Sequence, residues 1–228
     1  MMRTLFVLLG GLWLLVGCAS DTPASREFEG QELINRAEIS ATSILREHNL
    51  GNSGALLSRA KAVLIVPSHF RAGFLLGAEG GRGVLLARGV DGSWSPPAFF
   101  TLAGGSLGLQ LGAESAQVMF LLMTDKALEG VLANNFKFGA DASVSFGPVG
   151  GGRGTALAGG LLPDVYVYSR NMGIYGGGAF NGLVINTKED WNTAYYGSGA
   201  TARAIVQERL FDKPSTRPLR DALATQPQ

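Results

Sequence analysis

The sequence predicts an α+β fold: a strongly curved, mainly antiparallel β-sheet or barrel-like array with an N-terminal amphipathic helix and one or two further helices. Three observations point there. The chain of 228 residues holds 33 glycines against five lysines, so the composition favours turns, bulges and close strand approach over long helices. Beyond Pro67, short apolar runs alternate with glycine-rich breaks, the pattern of strands between turns. Ahead of them, Ile34, Ala37, Ala41, Ile44 and Leu45 recur at spacings of three and four, and no Gly or Pro interrupts residues 31 to 48. That is helical periodicity.

Taken in order, the first helix occupies Ser25 to Asn49, with ordered structure expected to start near Phe28. Gly51 and Asn52-Ser53-Gly54 stop it, and Ser53 is placed to cap a short second helix through Ala60. Ala62 to Val66 is β-branched and halted by Pro67, a buried strand. Five further runs read as strands of a meander: Gly73 to Ala78, Gly83 to Arg88, Phe99 to Leu102, Ser106 to Leu111 and Gln117 to Met123. Gly80-Gly81 and Asp91-Gly92 supply hairpin turns between them. Thr124 caps a helix from Asp125 to Ala133, whose Ala127, Leu128, Val131 and Leu132 share a face.

Ala140 to Phe146 reads as another strand, and Gly147 to Gly160 as a mobile surface loop. Val165 to Tyr168 alternates aliphatic with aromatic side chains, so its two faces meet different surroundings. Gly173 to Ala179 and Leu183 to Asn186 are strand candidates joined through Asn181-Gly182. Ala202 to Phe211 reads as a closing helix, and residues 212–228, with three prolines and mixed charge, as a flexible tail.

The N-terminus carries its own signal. Arg3 precedes an almost unbroken apolar run from Leu5 to Val16, closed by the small Gly17, which is the architecture of a secretory signal. The run of about a dozen residues is short of the ~20 that a helix needs to cross the hydrocarbon core. Leu15-Val16-Gly17-Cys18 resembles the bacterial lipobox, which implies cleavage before Cys18 and diacylation of its sulfur. Each buried methylene contributes about 0.8 kcal/mol, so two or three acyl chains hold a protein where one binds reversibly. No Asp follows Cys18 directly; by resemblance to enterobacterial sorting, this favours the outer membrane, facing the periplasm. The expected organisation is a signal peptide at 1–17, an acylated tether at 18–27, a folded domain at 28–211 and the tail at 212–228.

Removal of residues 1–17 leaves 18 basic and 18 acidic residues. No two Lys or Arg are adjacent, so the basic stripe needed to displace nucleic-acid counterions is missing, and no nucleic-acid partner is expected. Two histidines without carboxylates at ligand spacing, plus an acylated cysteine, do not make a zinc site, and no Gly-Lys-Ser/Thr phosphate loop occurs. No cofactor or metal is expected. Gly104-Gly105-Ser106-Leu107-Gly108 fits the G-x-S-x-G nucleophile elbow, but both histidines, His48 and His69, lie upstream of the serine and no helix-forming stretch follows it. A convergent set of Ser106 and His69 with Asp141 or Asp164 is the remaining enzymatic reading. The expectation is a protein that is not an enzyme.

Several segments carry a family resemblance: Lys61-Ala62-Val63-Leu64-Ile65-Val66-Pro67, Ala72-Gly73-Phe74, Gly83-Val84-Leu85 and Ser106-Leu107-Gly108-Leu109-Gln110-Leu111-Gly112. They continue with Gly139-Ala140-Asp141-Ala142, Gly173-Ile174-Tyr175-Gly176-Gly177 and Tyr195-Tyr196-Gly197. Together, over residues 31 to 211, they resemble the SYLF lipid-binding domain family of bacterial lipoproteins and eukaryotic actin-patch and phosphoinositide-binding proteins. The resemblance implies non-catalytic binding of membrane phospholipid, with anionic or phosphoinositide-like head groups. In eukaryotic relatives a basic N-terminal helix contributes to membrane contact, whereas residues 26 to 48 here hold three Arg and five Glu. This helix therefore lacks the gain of about 1 kcal/mol per positive charge that an anionic surface offers, and the actin role of those relatives is not expected here.

Candidate head-group contacts are Arg59, Lys61 and Arg71, which with His69 form a basic cluster free of acid from residue 48 to 78, and Arg153 in the glycine-rich loop. Phe70 and Phe74 beside them are candidate acyl or interface contacts. Solvated strand ends and a plain loop are the alternative readings. Tyr166, Tyr168, Tyr175, Tyr195 and Tyr196 are either an interfacial belt or core packing. The alternative to lipid binding is an envelope scaffold or stress-related lipoprotein that recruits a protein partner.

Overall fold

A computed structural model describes residues 21–47, 53–134, 136–146, 163–170 and 182–224. Helix α1 spans Pro23–Arg46 and so begins inside the segment read as tether. Its start is fixed by chemistry: the Thr22 side chain accepts from Ser25 N at 3.1 Å, the Ser25 hydroxyl accepts from Thr22 N at 2.9 Å, and Pro23 stands in the first turn. Leu33, Ile34, Ala37, Ala41 and Ile44 form its buried face. Helix α2 is Ser53–Arg59, as expected.

The meander of short strands is corrected. Two strands replace six runs: β1, Ala62–Ala87, and β2, Ala98–Leu122, pair antiparallel along almost their whole length. Gly80-Gly81, read as a turn, lies inside β1 opposite Ala103 and Leu102. The hairpin turn is at Asp91-Gly92, where Gly92 has φ +80° and Ser93 N donates to Asp91 Oδ1 at 3.1 Å. Nor does Pro67 halt its strand. It sits where the register slips between Val66 and His69, and such a bulge tolerates a residue with no N–H to donate.

The ribbon is bent. Gly73 faces Gly112 and Leu75 faces Gly108, so β2 spends four residues where β1 spends two, as the outer lane of a curve must. Beyond the bend the two ends of β1 meet again, with Arg88 N donating to Lys61 O at 2.8 Å. Glycine makes this closure possible: a Cβ on Gly83 would stand 2.7 Å from Ile65 O.

On its other edge β2 pairs through Phe100–Ala103 with β6, Val184–Thr187, and through Gln117–Leu122 with β5, Val165–Arg170. Strand β3, Phe136–Lys137, flanks β6, and β4, Val144–Phe146, lies parallel to β5. With each long strand counted as two arms, the sheet is a mixed, eight-stranded, strongly curled half-barrel. Its α+β class and curvature match the expectation.

Both faces of the sheet are covered, which explains why Ala62 to Val66 and Val118 to Leu122 are continuous apolar runs rather than alternating ones. Leu64, Val66, Phe100, Val118 and Phe120 face the inner core, with helix α3, Asp125–Leu132, and helix α5, Ala202–Val206. Val63, Ile65, Phe99, Met119 and Leu121 face the outer core under α1, α2 and α4, Glu189–Tyr196. The α3 cap and buried face stand as read, whereas α5 stops well short of Phe211. The tail is also corrected: a 3-10 turn at Pro214–Thr216 leads into α6, Arg217–Ala224, whose Leu219 and Leu223 are buried in the outer core. Pro214 and Pro218 fall in first turns, where no N–H is required. The strand candidate Gly173 to Ala179 and the loop Gly147 to Gly160 lie outside the described residues.

One polar knot joins α3 to the sheet. Asp164 accepts from Ser143 N at 3.0 Å, from the Ser143 hydroxyl at 2.9 Å and from the Thr124 hydroxyl at 3.0 Å. Burial raises its pKa, but the hydrogen bonds outweigh this and hold the carboxyl below its ordinary value of 3.8. A depressed carboxylate contributes stability that is present above its unfolded pKa and lost as the pH falls through the folded one. Asp164→Asn is therefore expected to cost about 2 kcal/mol near neutrality, where acceptors for three donors are disturbed. Urea titrations should show this deficit shrinking as the pH drops below 3.8.

Candidate lipid-facing site

The basic residues singled out from sequence do not form one cluster. Arg59 ends α2 and is exposed; Lys61, also exposed, pairs with Asp125 in the first turn of α3 at 3.3 Å. Arg71 lies ten residues further along β1, in register with Glu114, which is about 30 Å of extended chain away. His69 between them is fully buried. One phosphate cannot bridge both ends. Cys18 and Arg153 lie outside the described residues.

The bent end of the ribbon gathers the aromatic candidates. Phe70 is 51 % exposed and stands opposite Ser115, while Phe74 falls in the register break at the bend itself. Beside this neck lies a pocket of about 320 Å³ lined by Pro67, Ser115, Ala116, Gln117 and Arg170. Arg170, the last residue of β5, donates to Gln117 Oε1 at 3.3 Å and approaches Glu47 at 3.6 Å. Sequence reading passed over it, since a lone arginine after Val165–Tyr168 marks only a strand end. The register Gln117 to Arg170 is what brings it to the ribbon.

A second charged region, on α1 and α4, is a clamp. Arg82 binds Glu29 at 2.9 Å and lies 4.7 Å from the Trp191 ring, which Lys188 approaches to 5.1 Å; Arg26 binds Asp21 at 2.7 Å and nears Asp190 at 3.6 Å. Its cations are matched by carboxylates, so it offers an incoming anion little. The tyrosines are core rather than belt: Tyr168 and Tyr195 are buried, burial raises the pKa of both, and Tyr196 donates to Pro97 O at 2.8 Å. Tyr195 also bonds Gln31 and Ser215, tying the C-terminal segment to α1. Tyr175 lies outside the described residues.

The enzymatic reading loses its geometry. Ser106 lies within β2 opposite Gly77, not on a strand-to-helix turn. Asp164 is committed to Ser143 and Thr124, and Asp141 accepts from Lys137 N at 2.6 Å. Among the described residues no group of His, Cys, Asp and Glu is arranged to hold a metal ion, and no helix is long and apolar enough to cross a membrane.

Comparison with known proteins places this architecture. The family model described as Ysc84, Las17-binding protein actin regulator, matches residues 103–226, from the arm of β2 that pairs with β6 through α6. The chain belongs to the Ysc84 family. This is the SYLF family of the sequence resemblance. It is 33 % identical over 168 residues to LAS seventeen-binding protein 3 of Saccharomyces cerevisiae, covering 72 % of this chain and 36 % of that protein. Protein YSC84 of the same yeast is 31 % identical over 167 residues, with the same coverage. Human SH3 domain-containing YSC84-like protein 1 is 30 % identical over 142 residues, covering 62 % of this chain and 41 % of that one. The chain thus spans well under half the length of these relatives.

Proposed function

We propose that this Ysc84-family domain is held by a diacylated Cys18 at the periplasmic face of the outer membrane, where it binds phospholipid without catalysing a reaction. The observation that carries the reading is Leu15-Val16-Gly17-Cys18 at the end of a short apolar run, with the chain's single cysteine in the acceptor position. Four residues separate Cys18 from the start of α1 at Pro23, five Cα-to-Cα steps with a reach of at most about 18 Å, so an acylated terminus would keep the domain against the surface. Confinement raises the local concentration enough for weak head-group contacts to suffice. Ser106 in mid-strand supports a binding role over a hydrolytic one.

A second reading has its own support, since the family description and the yeast relative are named for binding Las17. On that reading the anchored domain recruits a protein. Vesicle co-sedimentation separates the two, using residues 18–228 with Cys18→Ser so that neither the apolar leader nor acylation dominates. Binding that grows with phosphatidylglycerol content and weakens with salt is the expected result. Failure to sediment with any vesicle would favour the scaffold.

A further inference from the structure

We infer that the bent end of the β1–β2 ribbon is the element that enters the lipid surface, and that the Arg170 pocket at its neck receives the lipid phosphate; this rests on the phospholipid reading above. Charge is absent over an unusual length of paired strand. On β1 the seven residues between Arg71 and Glu79 carry none, and neither do residues 102–113 of β2, where only Ser106 and Gln110 are polar. Charge resumes where Arg71 faces Glu114. From the bend at Phe74 to Arg71 on one arm and Glu79 on the other is three to five residues, roughly 10–16 Å. That depth is about half of the ~30 Å hydrocarbon core, so the ribbon suits one leaflet and does not span.

The order of chemistry along the ribbon repeats that of a phospholipid monolayer. The charge-free bend comes first, then the level where Arg71 faces Glu114, then Phe70, 51 % exposed, and then Ser115, Gln117 and Arg170 around the pocket of about 320 Å³. Arg170 is 46 % exposed, and its contacts with Gln117 (3.3 Å) and Glu47 (3.6 Å) are long ones. A half-exposed pair of that kind contributes little, whereas a phosphate accepts a guanidinium through two short charge-assisted bonds. A protein partner would need matching polar groups around an apolar anchor; the charge-free bend above the Arg170 pocket fits a bilayer surface better.

The test uses residues 18–228, freed of the apolar leader, with Cys18→Ser and Phe70→Trp, mixed with phosphatidylethanolamine vesicles with and without phosphatidylglycerol. Trp94 and Trp191 are each 4 % exposed, and subtracting the spectrum of the chain that keeps Phe70 removes the existing indoles. The introduced indole should shift to the blue on anionic vesicles and be quenched most by lipids brominated near the head group. In parallel, Arg170→Gln should weaken binding to phosphatidylglycerol vesicles about five- to tenfold, while Arg59→Gln changes it little. If the protein sediments with vesicles but the indole stays water-exposed, or Arg170→Gln binds unchanged, the inference is overturned and the phospholipid reading stands. If nothing sediments, both fall.

Discussion

Gly83→Ala is expected to destabilise the domain by about 2–3 kcal/mol, and Gly83→Val by more, enough to remove soluble protein from many preparations. The cause is local and severe. A Cβ at this position would lie 2.7 Å from Ile65 O, 2.9 Å from Val66 Cγ2 and 3.3 Å from Leu64 Cδ1. The first of these is a backbone carbonyl in a strand paired with β2, so it cannot swing aside as a side-chain tip would. Relief requires the two ends of β1 to part, which breaks the closure marked by Arg88 N to Lys61 O. Gly105→Ala is the control: it lies in the same ribbon, but its Cβ would come no closer than 3.9 Å, to Gly77 O. There the lost strand entropy of glycine, about 0.5–1 kcal/mol, should make alanine neutral or mildly stabilising. Chemical denaturation of the two variants side by side reads the difference.

Phe99→Ala is expected to cost about 4 kcal/mol, a large share of the 5–15 kcal/mol that holds a typical domain together. Phe99 is fully buried on the outer face of β2 and meets Trp191 edge-on at 5.7 Å and Tyr195 at 5.3 Å. Its ring lies so close to Gly30 of α1 that a Cβ there would be 2.9 Å from Cζ. One side chain thus joins the sheet, α1 and α4. Its backbone adds to the joint, since Phe99 N donates to the buried Asn192 Oδ1 at 2.8 Å and Lys188 N donates to Phe99 O at 2.8 Å. Truncation leaves a void under both helices, so hydrogen exchange should rise first in α1 and α4 while the β1–β2 ladder stays protected. Equal loosening of all elements would show that the two faces of the sheet are not separately supported.

The helices whose burial follows one clean stripe were legible in the sequence. Residues 34, 37, 41, 44 and 45 announced α1, all but the half-buried Leu45 lying on its buried face, and Thr124 with Ala127, Leu128, Val131 and Leu132 announced α3. The long ribbon was not, because Gly80-Gly81 has the composition of a hairpin turn and only tertiary contact distinguishes a turn from a glycine admitted for close approach. Pro67 misled in the same way, since a bulge and a strand end both accept proline. Helix α4 hid behind Tyr195 and Tyr196, which read as an interfacial belt or core packing, and α6 behind prolines and charge, with Leu219 and Leu223 as its only buried apolar pair. Of the candidate site, Phe70 could be named from sequence, but Arg170 reaches it through a strand pairing that no local pattern encodes.

The central claim, that a fatty modification fastens this Ysc84-family domain beside the bilayer it binds, is tested most directly by intact mass spectrometry of the protein extracted from membranes. The account predicts a chain that has lost residues 1–17 and carries diacylglycerol on Cys18. An unmodified Cys18, or a chain retaining its first 17 residues, would contradict it.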